Sequence, residues 1–492
     1  MSNVFYPYTL TILPIVVFYF FIKNWAVSIQ LFFFLSTFLT LFIAFKASLR
    51  LTHSKIQSYV FAVLYVFSHY RIINSYVRFD IGEYMAMVFI PLVLFELETM
   101  IQRRDYTHWY LIAIGMSGII YSHLLSGVVI SIVILLRMLL GITSVNKQTI
   151  NYFLKAVFLS LLLSIFEIVS VVEQFMHIKL TAVDRGDSLL QALSSSDVLK
   201  MSLNSELKPV VGFVVIFTVL ICLLNFSKLQ INHINVAILF VVGLVFLFLT
   251  TSSFPWYLLN HKPIDMLQFP FRLSVYATIY LLLSGTVVIA NLSKRMILSA
   301  NNRAIIGLIA LCLLGMYGQV TKMVSDRANE KLQTEYHLTN KFNILAFKDS
   351  PVMDYRPSTN GFLGHSLETR QFSLNHHDYG APIYLQTKSN MYFFTVDTTN
   401  KDTLVDIPIP DYVGVAAFER NRQIPTYRTK RGTIEIRLNK VGRHTIVVTS
   451  VSSLAKKIAF VVSILAVILL LIIVYFRQRP DSDKVNKNNY ED

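Results

Sequence analysis

Cysteine is scarce in this chain, and its two cysteines, Cys222 and Cys312, both lie within apolar runs. The sequence therefore indicates neither a disulfide framework nor a cysteine-based metal cluster. Charged residues are also few, at 15% of the 492 residues. The net charge of +15 would suit nucleic acid, but many basic residues lie in short loops between apolar runs, where they orient membrane helices. We find no nucleic-acid-binding module in the sequence and expect no nucleic-acid partner.

Hydrophobic runs dominate the rest of the sequence. Apolar residues make up 54% of the chain, its mean hydropathy is +0.54, and they form blocks near the length that crosses a bilayer. The blocks predict an α-helical polytopic membrane protein with about 11 to 12 membrane segments. The candidate segments are residues 7–21, 26–45, 57–67, 84–97, 109–121, 124–140, 153–172, 210–224, 236–250, 273–290, 304–320 and 458–476. The first lacks a signal-peptide pattern and could be a span or a re-entrant or interfacial helix.

Basic residues between these segments predict the orientation. They form four groups that fall on one side if the helices alternate: Lys46, Arg50 and Lys55; Arg103 and Arg104; Lys294, Arg295 and Arg303; Arg477 and Arg479. That side is expected to be cytoplasmic, because positive residues are retained inside. The outer side then receives residues 69–83, 121–123, 177–208, 255–272 and 321–457.

The pattern divides the chain into four parts. Residues 1–320 form the polytopic region, residues 321–457 a β-rich extracytoplasmic domain, residues 458–476 a final membrane helix, and residues 477–492 a disordered cytoplasmic tail. The β domain is predicted from four alternating stretches separated by turn residues: 391–396, 404–407, 433–438 and 444–449. Its composition would suit carbohydrate or peptidoglycan, or the domain could merely cover the membrane core.

The stretch of residues 68–87 is the first candidate for a functional site. It carries His69, Arg71, Arg78, Asp80 and Glu83 between two apolar runs. Charged groups beside hydrocarbon are costly to desolvate and persist for pairing or for function. Asp80 and Glu83 have the spacing of a capping box, which would start the following helix without any chemistry. Arg71 and Arg78 would share a helical face suited to an anionic head group, or could simply bind lipid phosphates.

The loop of residues 255–272 is a second candidate. It carries His261, Lys262, Asp265 and Arg272 among aromatic residues. Cations beside aromatic rings suit an anionic amphiphile, with the cations on its phosphate and the rings against its chain or a sugar. An ordinary aromatic belt with snorkelling cations would look the same.

Two further polar residues lie at or within apolar runs. His123 stands at a helix corner, where it could be a hydrogen-bonded structural histidine or a base. Glu167 lies inside the run 153–172, and an intramembrane carboxylate is a functional candidate. Glu173 or Gln174, on the same helical face, could instead satisfy it.

Several stretches together resemble a known family. NVFYPYTLTILP, YRIINSYVRFDIGEYMAMVFIPL, IYSHLLS, MLQFPFRLSVYAT and MDYRPSTN occur in the order and spacing of bacterial YfhO-like membrane proteins, which are similar to the GT-C class of glycosyltransferases. The resemblance implies an enzyme of the bacterial plasma membrane. It would take a sugar from a polyprenyl-phosphate carrier and transfer it, outside the membrane, to an envelope glycopolymer or lipid.

The beginning of the chain departs from that family pattern. In the family a first transmembrane helix and an acidic outer loop, the usual seat of the catalytic carboxylate, precede the FYP segment. Here FYP occupies residues 5–7. The resemblance then implies an N-terminally shortened product, another acidic group acting in its place, a partner subunit supplying the missing elements, or a chain that no longer catalyses.

The proposed reaction assigns roles to the candidates. Asp80 or Glu83 would deprotonate the acceptor hydroxyl. The carrier phosphate would be bound by cationic and imidazole groups: His69, Arg71, Arg78, His123, His261, Lys262 and Arg272. A divalent metal is compatible with this chemistry, although no ligand spacing argues for one. The alternative is a non-catalytic envelope assembly or lipid-binding protein; a secondary transporter is a third reading, disfavoured because the hydrophobic segments show no clear repeat.

Overall fold

The computed structural model describes residues 7–178, 190–226, 229–231, 234–259, 262, 264, 267–295, 318, 322, 371–380, 384–388 and 391–478. Chain contacts divide it into two compact units. The larger, helical unit contains residues 6–164, 186–343 and 466–492; the smaller one contains residues 165–185 and 344–465 together with residues 1–5.

The described chain is mostly helical. In chain order the helices are α1 (Ile12–Ile22), α2 (Trp25–Thr52), α3 (Lys55–Val66), α4 (His69–Ile72), α5 (Ile81–Glu98), α6 (Tyr110–Ile120), α7 (Leu124–Leu140), α8 (Lys147–His177), α9 (Ser195–Leu203), α10 (Phe213–Leu224), α11 (Val236–Leu249), α12 (Ser274–Arg295) and α13 (Leu454–Gln478). Eleven predicted membrane segments coincide with helices of this list, and the predicted segment 304–320 lies outside the described residues.

Helix length separates these apolar helices into two groups. Five stretches are long and apolar enough to cross a membrane: Trp25–Thr52, Ile81–Arg103, Lys147–His177, Pro270–Ile289 and Leu454–Arg477. Six others are apolar but shorter, between 10 and 17 residues. The chain is therefore compatible with a multi-pass membrane protein, with fewer full-length spans among its described residues than the sequence predicts.

Helices α5 and α12 form the interior of the helical unit. In each of these two helices, 94% of the most apolar 18-residue stretch is buried, whereas in α2 only 22% of the corresponding stretch is buried. Glycine permits the close approach of α6 to α5, since a Cβ on Gly118 would lie 2.6 Å from the Phe89 ring. The two interior helices bring their N-terminal ends, which carry the candidate residues, into one region of the unit.

One group of predicted turn residues is not in a turn. Lys46 and Arg50 lie within α2, which continues to Thr52. Arg50 is stabilised there because it pairs with Glu96 at 2.8 Å and with Asp105 at 3.2 Å. The expectation that Lys46 and Arg50 mark a loop was wrong, since both lie within the helix and two carboxylates pair with Arg50.

The smaller unit contains two antiparallel five-stranded sheets. Its strands are β3 (Phe372–Leu374), β4 (His377–Gly380), β5 (Tyr384–Lys388), β6 (Met391–Thr398), β7 (Thr403–Pro410), β8 (Val415–Glu419), β9 (Arg422–Ile424), β10 (Thr426–Arg428), β11 (Thr433–Leu438) and β12 (Gly442–Ser450). The sheet orders are β10-β11-β7-β3-β4 and β5-β6-β12-β8-β9. One apolar core joins them, with Phe372 and Ile434 from the first sheet and Phe394 and Ile446 from the second. All four predicted strands are confirmed. A short pair, β1 (Gln230–Ile231) and β2 (Ile234–Asn235), belongs to the helical unit.

Within the smaller unit, polar side chains join α8 to neighbouring segments. Glu173 accepts a hydrogen bond from the Ser453 hydroxyl at 2.7 Å. Gln174 donates to the Val413 carbonyl oxygen at 3.2 Å and accepts from the Val413 amide at 2.9 Å. Glu173 and Gln174 thus bind other segments of the smaller unit, and the suggestion that one of them satisfies Glu167 stays a prediction.

Candidate functional site

The candidate site is built on an irregular connection between α4 and α5. A π-helical turn, Ile73–Val77, follows α4, and Phe79 then takes a positive φ of 53°. Asp80 caps α5, its Oδ1 accepting a hydrogen bond from the Glu83 amide at 3.0 Å. The first half of the predicted capping box is therefore present.

The second half of the predicted capping box, a hydrogen bond from the Asp80 amide to the Glu83 carboxylate, was wrong. The Asp80 amide donates to the carbonyl oxygen of Asn74 at 3.0 Å. Glu83 is 4% exposed. Its carboxylate instead accepts hydrogen bonds from the Tyr70 hydroxyl at 2.5 Å, from the side-chain amide of Asn74 at 3.3 Å and from Arg78 Nη1 at 3.0 Å. A buried carboxylate is stable when several donors surround it, so the local donors hold Glu83 away from the cap.

Arg78 links the two acidic residues. Its Nη2 donates to Asp80 Oδ2 at 3.1 Å, and its guanidinium lies 4.9 Å from the centroid of the Phe271 ring. Burial alone would lower the pKa of Arg78, but the carboxylates of Glu83 and Asp80 raise it overall. Arg78 is therefore a fixed positive charge at this site.

Arg272 approaches the same carboxylate from the turn before α12. Its Nε lies 3.7 Å from Glu83 Oε2, and its guanidinium lies 5.8 Å from the centroid of the Phe269 ring. Arg272 Nε and Nη1 are buried atoms with no hydrogen-bond partner among the described residues. Leaving a buried donor unpaired costs about 1 to 3 kcal/mol, so these atoms are suited to an acceptor on a bound molecule.

His123 acts electrostatically on this cluster. It caps α7, with Nδ1 accepting from the Ser126 amide at 3.3 Å. Desolvation lowers the pKa of His123, although the charge of Asp80 opposes the shift. Burial by itself would raise the pKa of Asp80, but His123 when charged, Arg78 and the Glu83 amide outweigh it, and the pKa is lowered. At neutral pH His123 is uncharged, and Arg78 and the Glu83 amide are the groups that favour the ionised form of Asp80.

Two other predicted residues, Arg71 and His69, have their contacts elsewhere. The Arg71 side chain, 1% exposed, donates to Thr40 Oγ1 at 2.7 Å and to the Tyr84 carbonyl oxygen at 3.0 Å. Its contacts differ from those of Arg78, although the chain between them is helical. His69 Nε2 lies 3.0 Å from the Lys208 carbonyl oxygen.

The second predicted loop is described in part. Lys262 is exposed, while His261 and Asp265 lie outside the described residues. Of the residues predicted in that loop, Arg272 lies beside the acidic pair, Asp80 and Glu83.

Sequence reasoning missed Tyr70 and Asn74, which both bind Glu83. Tyr70, Asn74 and Arg78 are spaced by four residues, which is the spacing of one helical face. Applying that period to residues 68–78 would have found all three. Phe269 and Phe271, stacked with ring centroids 5.0 Å apart, were noted only as aromatic neighbours.

An apolar cavity of about 190 Å³ lies in the helical unit. Its wall includes Leu125, two residues after His123, and Leu267 and Leu273, which flank the aromatic turn. Phe246 of α11 and Trp256 complete part of the lining. The segments that carry His123 and Arg272 thus also form walls of a hydrocarbon-lined space.

Among the described residues, no three His, Cys, Asp or Glu side chains come together as a metal-binding cluster. Arg78 already pairs with both carboxylates of the candidate site, with Asp80 at 3.1 Å and with Glu83 at 3.0 Å.

Comparison with known proteins gives one weak relative. No family model matches the chain. No solved structure matches it either. An uncharacterized protein of Lactococcus lactis subsp. cremoris (strain MG1363) is 28% identical over 108 residues, which is 21% of this chain and 18% of that protein. The matched part therefore spans less than a fifth of the relative.

Proposed function

We propose that this protein is a membrane glycosyltransferase that takes a sugar from a polyprenyl-phosphate carrier. The observation that supports the proposal best is Arg272, whose buried Nε and Nη1 have no hydrogen-bond partner among the described residues. It lies in a turn that borders a hydrocarbon-lined cavity, and its Nε lies 3.7 Å from Glu83 Oε2. A phosphate with an apolar tail matches these neighbours, because it supplies both an anionic acceptor and a chain for the cavity.

The carboxylates take different roles in this proposal. Asp80 is the base, because its carboxylate is ionised at neutral pH and its side chain is more exposed than that of Glu83. Glu83 is the counter-ion that positions Arg78 and Arg272. The acceptor hydroxyl loses its proton to Asp80 while its oxygen attacks the anomeric carbon. The bond from that carbon to the phosphate oxygen breaks, and the phosphate leaves with the bonding electrons toward Arg272.

The site and the β-rich unit are proposed to lie on the outer side of a bacterial plasma membrane, with the C-terminal tail in the cytoplasm. The distribution of basic residues supports this orientation. The partners are then the lipid bilayer, the carrier-linked sugar and a cell-envelope acceptor. A non-catalytic lipid-binding protein is the alternative, because the same cations would bind a carrier phosphate without reaction.

Binding of a fluorescent polyprenyl phosphate to the purified protein in lipid nanodiscs tests the phosphate site. Arg272→Ala should weaken binding by about ten- to a hundred-fold, because one or more charge-assisted hydrogen bonds are lost. The matching polyprenol, which lacks the phosphate, should bind the native protein and the variant equally. Lys262→Ala tests whether Lys262, the second predicted cation of the loop, also binds the phosphate.

Arg422→Ala is the matched control, since Arg422 is an exposed arginine of the β-rich unit. It should bind the phosphate as the native protein does. Equal preference for phosphate over polyprenol in native protein and Arg272→Ala would remove Arg272 from the site and contradict the proposal.

A further inference from the structure

Two of the long apolar helices, α8 and α13, continue into the smaller unit. Helix α8 has 31 residues, so it is about 46 Å long and exceeds a hydrocarbon layer of about 30 Å. Its apolar run 153–172 ends directly before Glu173, and His177 is the last residue of the helix. The Ser453 hydroxyl, directly before α13, donates to Glu173 at 2.7 Å. The end of α8 and the beginning of α13 therefore lie at one level, which is the headgroup layer if both helices cross a membrane.

Hydrogen bonds fix part of the β sheet at this level. The His177 carbonyl oxygen accepts from Arg428 Nη1 at 3.5 Å, and His177 Nε2 lies 3.1 Å from Asp411 Oδ2. The Asp411 amide in turn donates to the Gly432 carbonyl oxygen at 2.9 Å. The turn 429–432, between β10 and β11, is therefore held beside the last turn of α8.

The strand register separates this end of the sheet from the opposite one. Strand β11 runs from Thr433, which pairs with Pro410, to Leu438. The turn 429–432 precedes it and the turn 439–441 follows it. At about 3.3 Å per residue, the strand separates the two turns by about 17 Å. The first turn thus lies at the helix ends and the second stands away from them.

The end of the sheet beside the helices exposes an aromatic ring and two cations. Tyr427 is 56% exposed, and Arg428 and Lys430 are exposed as well. Tyrosine is typical of the boundary between hydrocarbon and water, and basic side chains near an anionic membrane surface are attracted to it. These three residues are called the lipid-binding edge below.

The acidic residues around the lipid-binding edge already have partners. The pairs are Asp406 with Arg431 at 2.6 Å, Asp411 with His177 at 3.1 Å and Glu435 with His376 at 3.8 Å. Arg428 donates to a carbonyl oxygen, and Lys430 has no carboxylate partner among the described residues. A phosphate group matches these two cations, because it accepts charge-assisted hydrogen bonds from both.

We propose that the lipid-binding edge takes the phosphates of anionic phospholipids and holds the smaller unit against the membrane surface. The phosphates accept hydrogen bonds from Lys430 and Arg428, and the Tyr427 ring lies beside the glycerol and the upper acyl carbons. This inference requires α8 and α13 to cross the membrane. It depends neither on sugar transfer nor on the side of the membrane that carries the unit.

Photocrosslinking of the whole protein in nanodiscs tests the contact. Photoreactive p-benzoylphenylalanine replaces Tyr427, and the nanodiscs contain equal parts of phosphatidylglycerol and phosphatidylcholine. Mass spectrometry of the crosslinked peptide should find lipid adducts, with phosphatidylglycerol preferred. Lys430→Gln should lower that preference about five-fold, as expected for one cation near an anionic surface, whereas Lys430→Arg should retain it.

The turn 439–441 supplies matched controls. Val441 is also 56% exposed, and the photoreactive residue in its place should give no lipid adduct. Lys440→Gln removes an exposed lysine of that turn and should leave the lipid preference at position 427 unchanged. Val451 is 43% exposed, and its amide donates to the Gly414 carbonyl oxygen near α13. A probe there should also reach lipid, so the contact stays testable if the probe at Tyr427 lowers the thermal midpoint.

Three results would overturn the proposal. An absence of lipid adducts from the probes at Tyr427 and Val451 would place this end of the unit clear of the bilayer. An equal ratio of the two lipids in native protein and Lys430→Gln would leave Lys430 without a lipid role. Adducts with an envelope polymer instead of lipid in intact cells would assign the edge to that polymer. Arg272→Ala should leave the lipid adducts unchanged, so failure of the carrier site and failure of the lipid-binding edge are distinguishable.

Discussion

Asp80 and Glu83 lie one helical turn apart and have different environments. Asp80 caps α5 and keeps part of its carboxylate exposed, whereas Glu83 is enclosed by donors. The difference arises because the cap turns Asp80 outward, while Glu83 faces α4 and the turn before α12. Two similar residues therefore acquire different chemistry from position alone.

The titration of His123 predicts a pH dependence of stability. Its pKa is lowered in the folded protein, so folding is favoured by the neutral ring. That contribution is complete above the ordinary value of 6.5 and is lost as pH falls toward the folded pKa, because the unfolded chain then binds the proton. The thermal midpoint in detergent should therefore fall between about pH 7 and pH 5.

His123→Asn should reduce this pH dependence. Asn also caps a helix, so the variant removes the proton-binding group and retains the α7 cap. Some dependence should remain, since the pKa values of His53 and His108 are lowered too. An unchanged slope of the thermal midpoint against pH in His123→Asn would contradict the assignment.

The sequence predicts part of the site at this scale. Asp80 was recognised as a cap from local spacing alone. The surroundings of Glu83 were not, because Arg272 comes from a segment 189 residues later in the chain. Arg71 and Arg78 look alike in sequence, but Arg71 binds Thr40 and Tyr84, whereas Arg78 binds Asp80 and Glu83. The binding roles assigned to these residues stay predictions.

Helix α5 carries acidic residues at both ends, and each is paired with an arginine from another element. At its C-terminal end Arg137 of α7 binds Glu98, with Nε to Oε1 at 2.6 Å and Nη2 to Oε2 at 2.8 Å. Both side chains are almost fully buried. A buried pair fixes the position of α5 and therefore supports the geometry at its other end.

Removing one member of the Glu98–Arg137 pair should be strongly destabilising. Glu98→Leu or Arg137→Met each leaves a buried charge unpaired and should lower the unfolding free energy by about 3 to 5 kcal/mol. The double variant should recover most of the loss, because no charge remains to be desolvated. Thermal unfolding in detergent measures all three.

Arg443→Met is the control for that experiment. Its pair with Asp397 is exposed, so its removal should leave the thermal midpoint nearly unchanged. Equal stability of Glu98→Leu and the native protein would show that the pair does not fix α5.

Element prediction succeeded where a periodic signal was long. Apolar runs gave the helices, and four alternating stretches gave β6, β7, β11 and β12. Strands such as β3, β8 and β9 were missed, because their short segments have no clear alternation. The C-terminal extension of α2 was missed because Lys46 and Arg50 suggested a loop, and the carboxylate partners of Arg50 become apparent only in the packed structure.

At the scale of the molecule, the long apolar helices are compatible with several membrane crossings, and the β-rich unit forms a separate core. The proposed division of labour places sugar transfer in the helical unit, where the acidic pair, the two arginines and the apolar cavity occur together. Lipid binding alone would not distinguish an enzyme from the non-catalytic alternative, whereas sugar transfer would distinguish them.

The most direct measurement is sugar transfer in right-side-out membrane vesicles, with labelled polyprenyl-phosphate sugars as donors and impermeant saccharide acceptors outside. Vesicles with the native protein should transfer label above vesicles lacking it. Asp80→Asn preserves the cap but removes the base, so it should lower transfer about a hundred-fold or more at equal protein abundance. Transfer at the native rate by Asp80→Asn, or none by the native protein with any donor of the panel, would contradict the account.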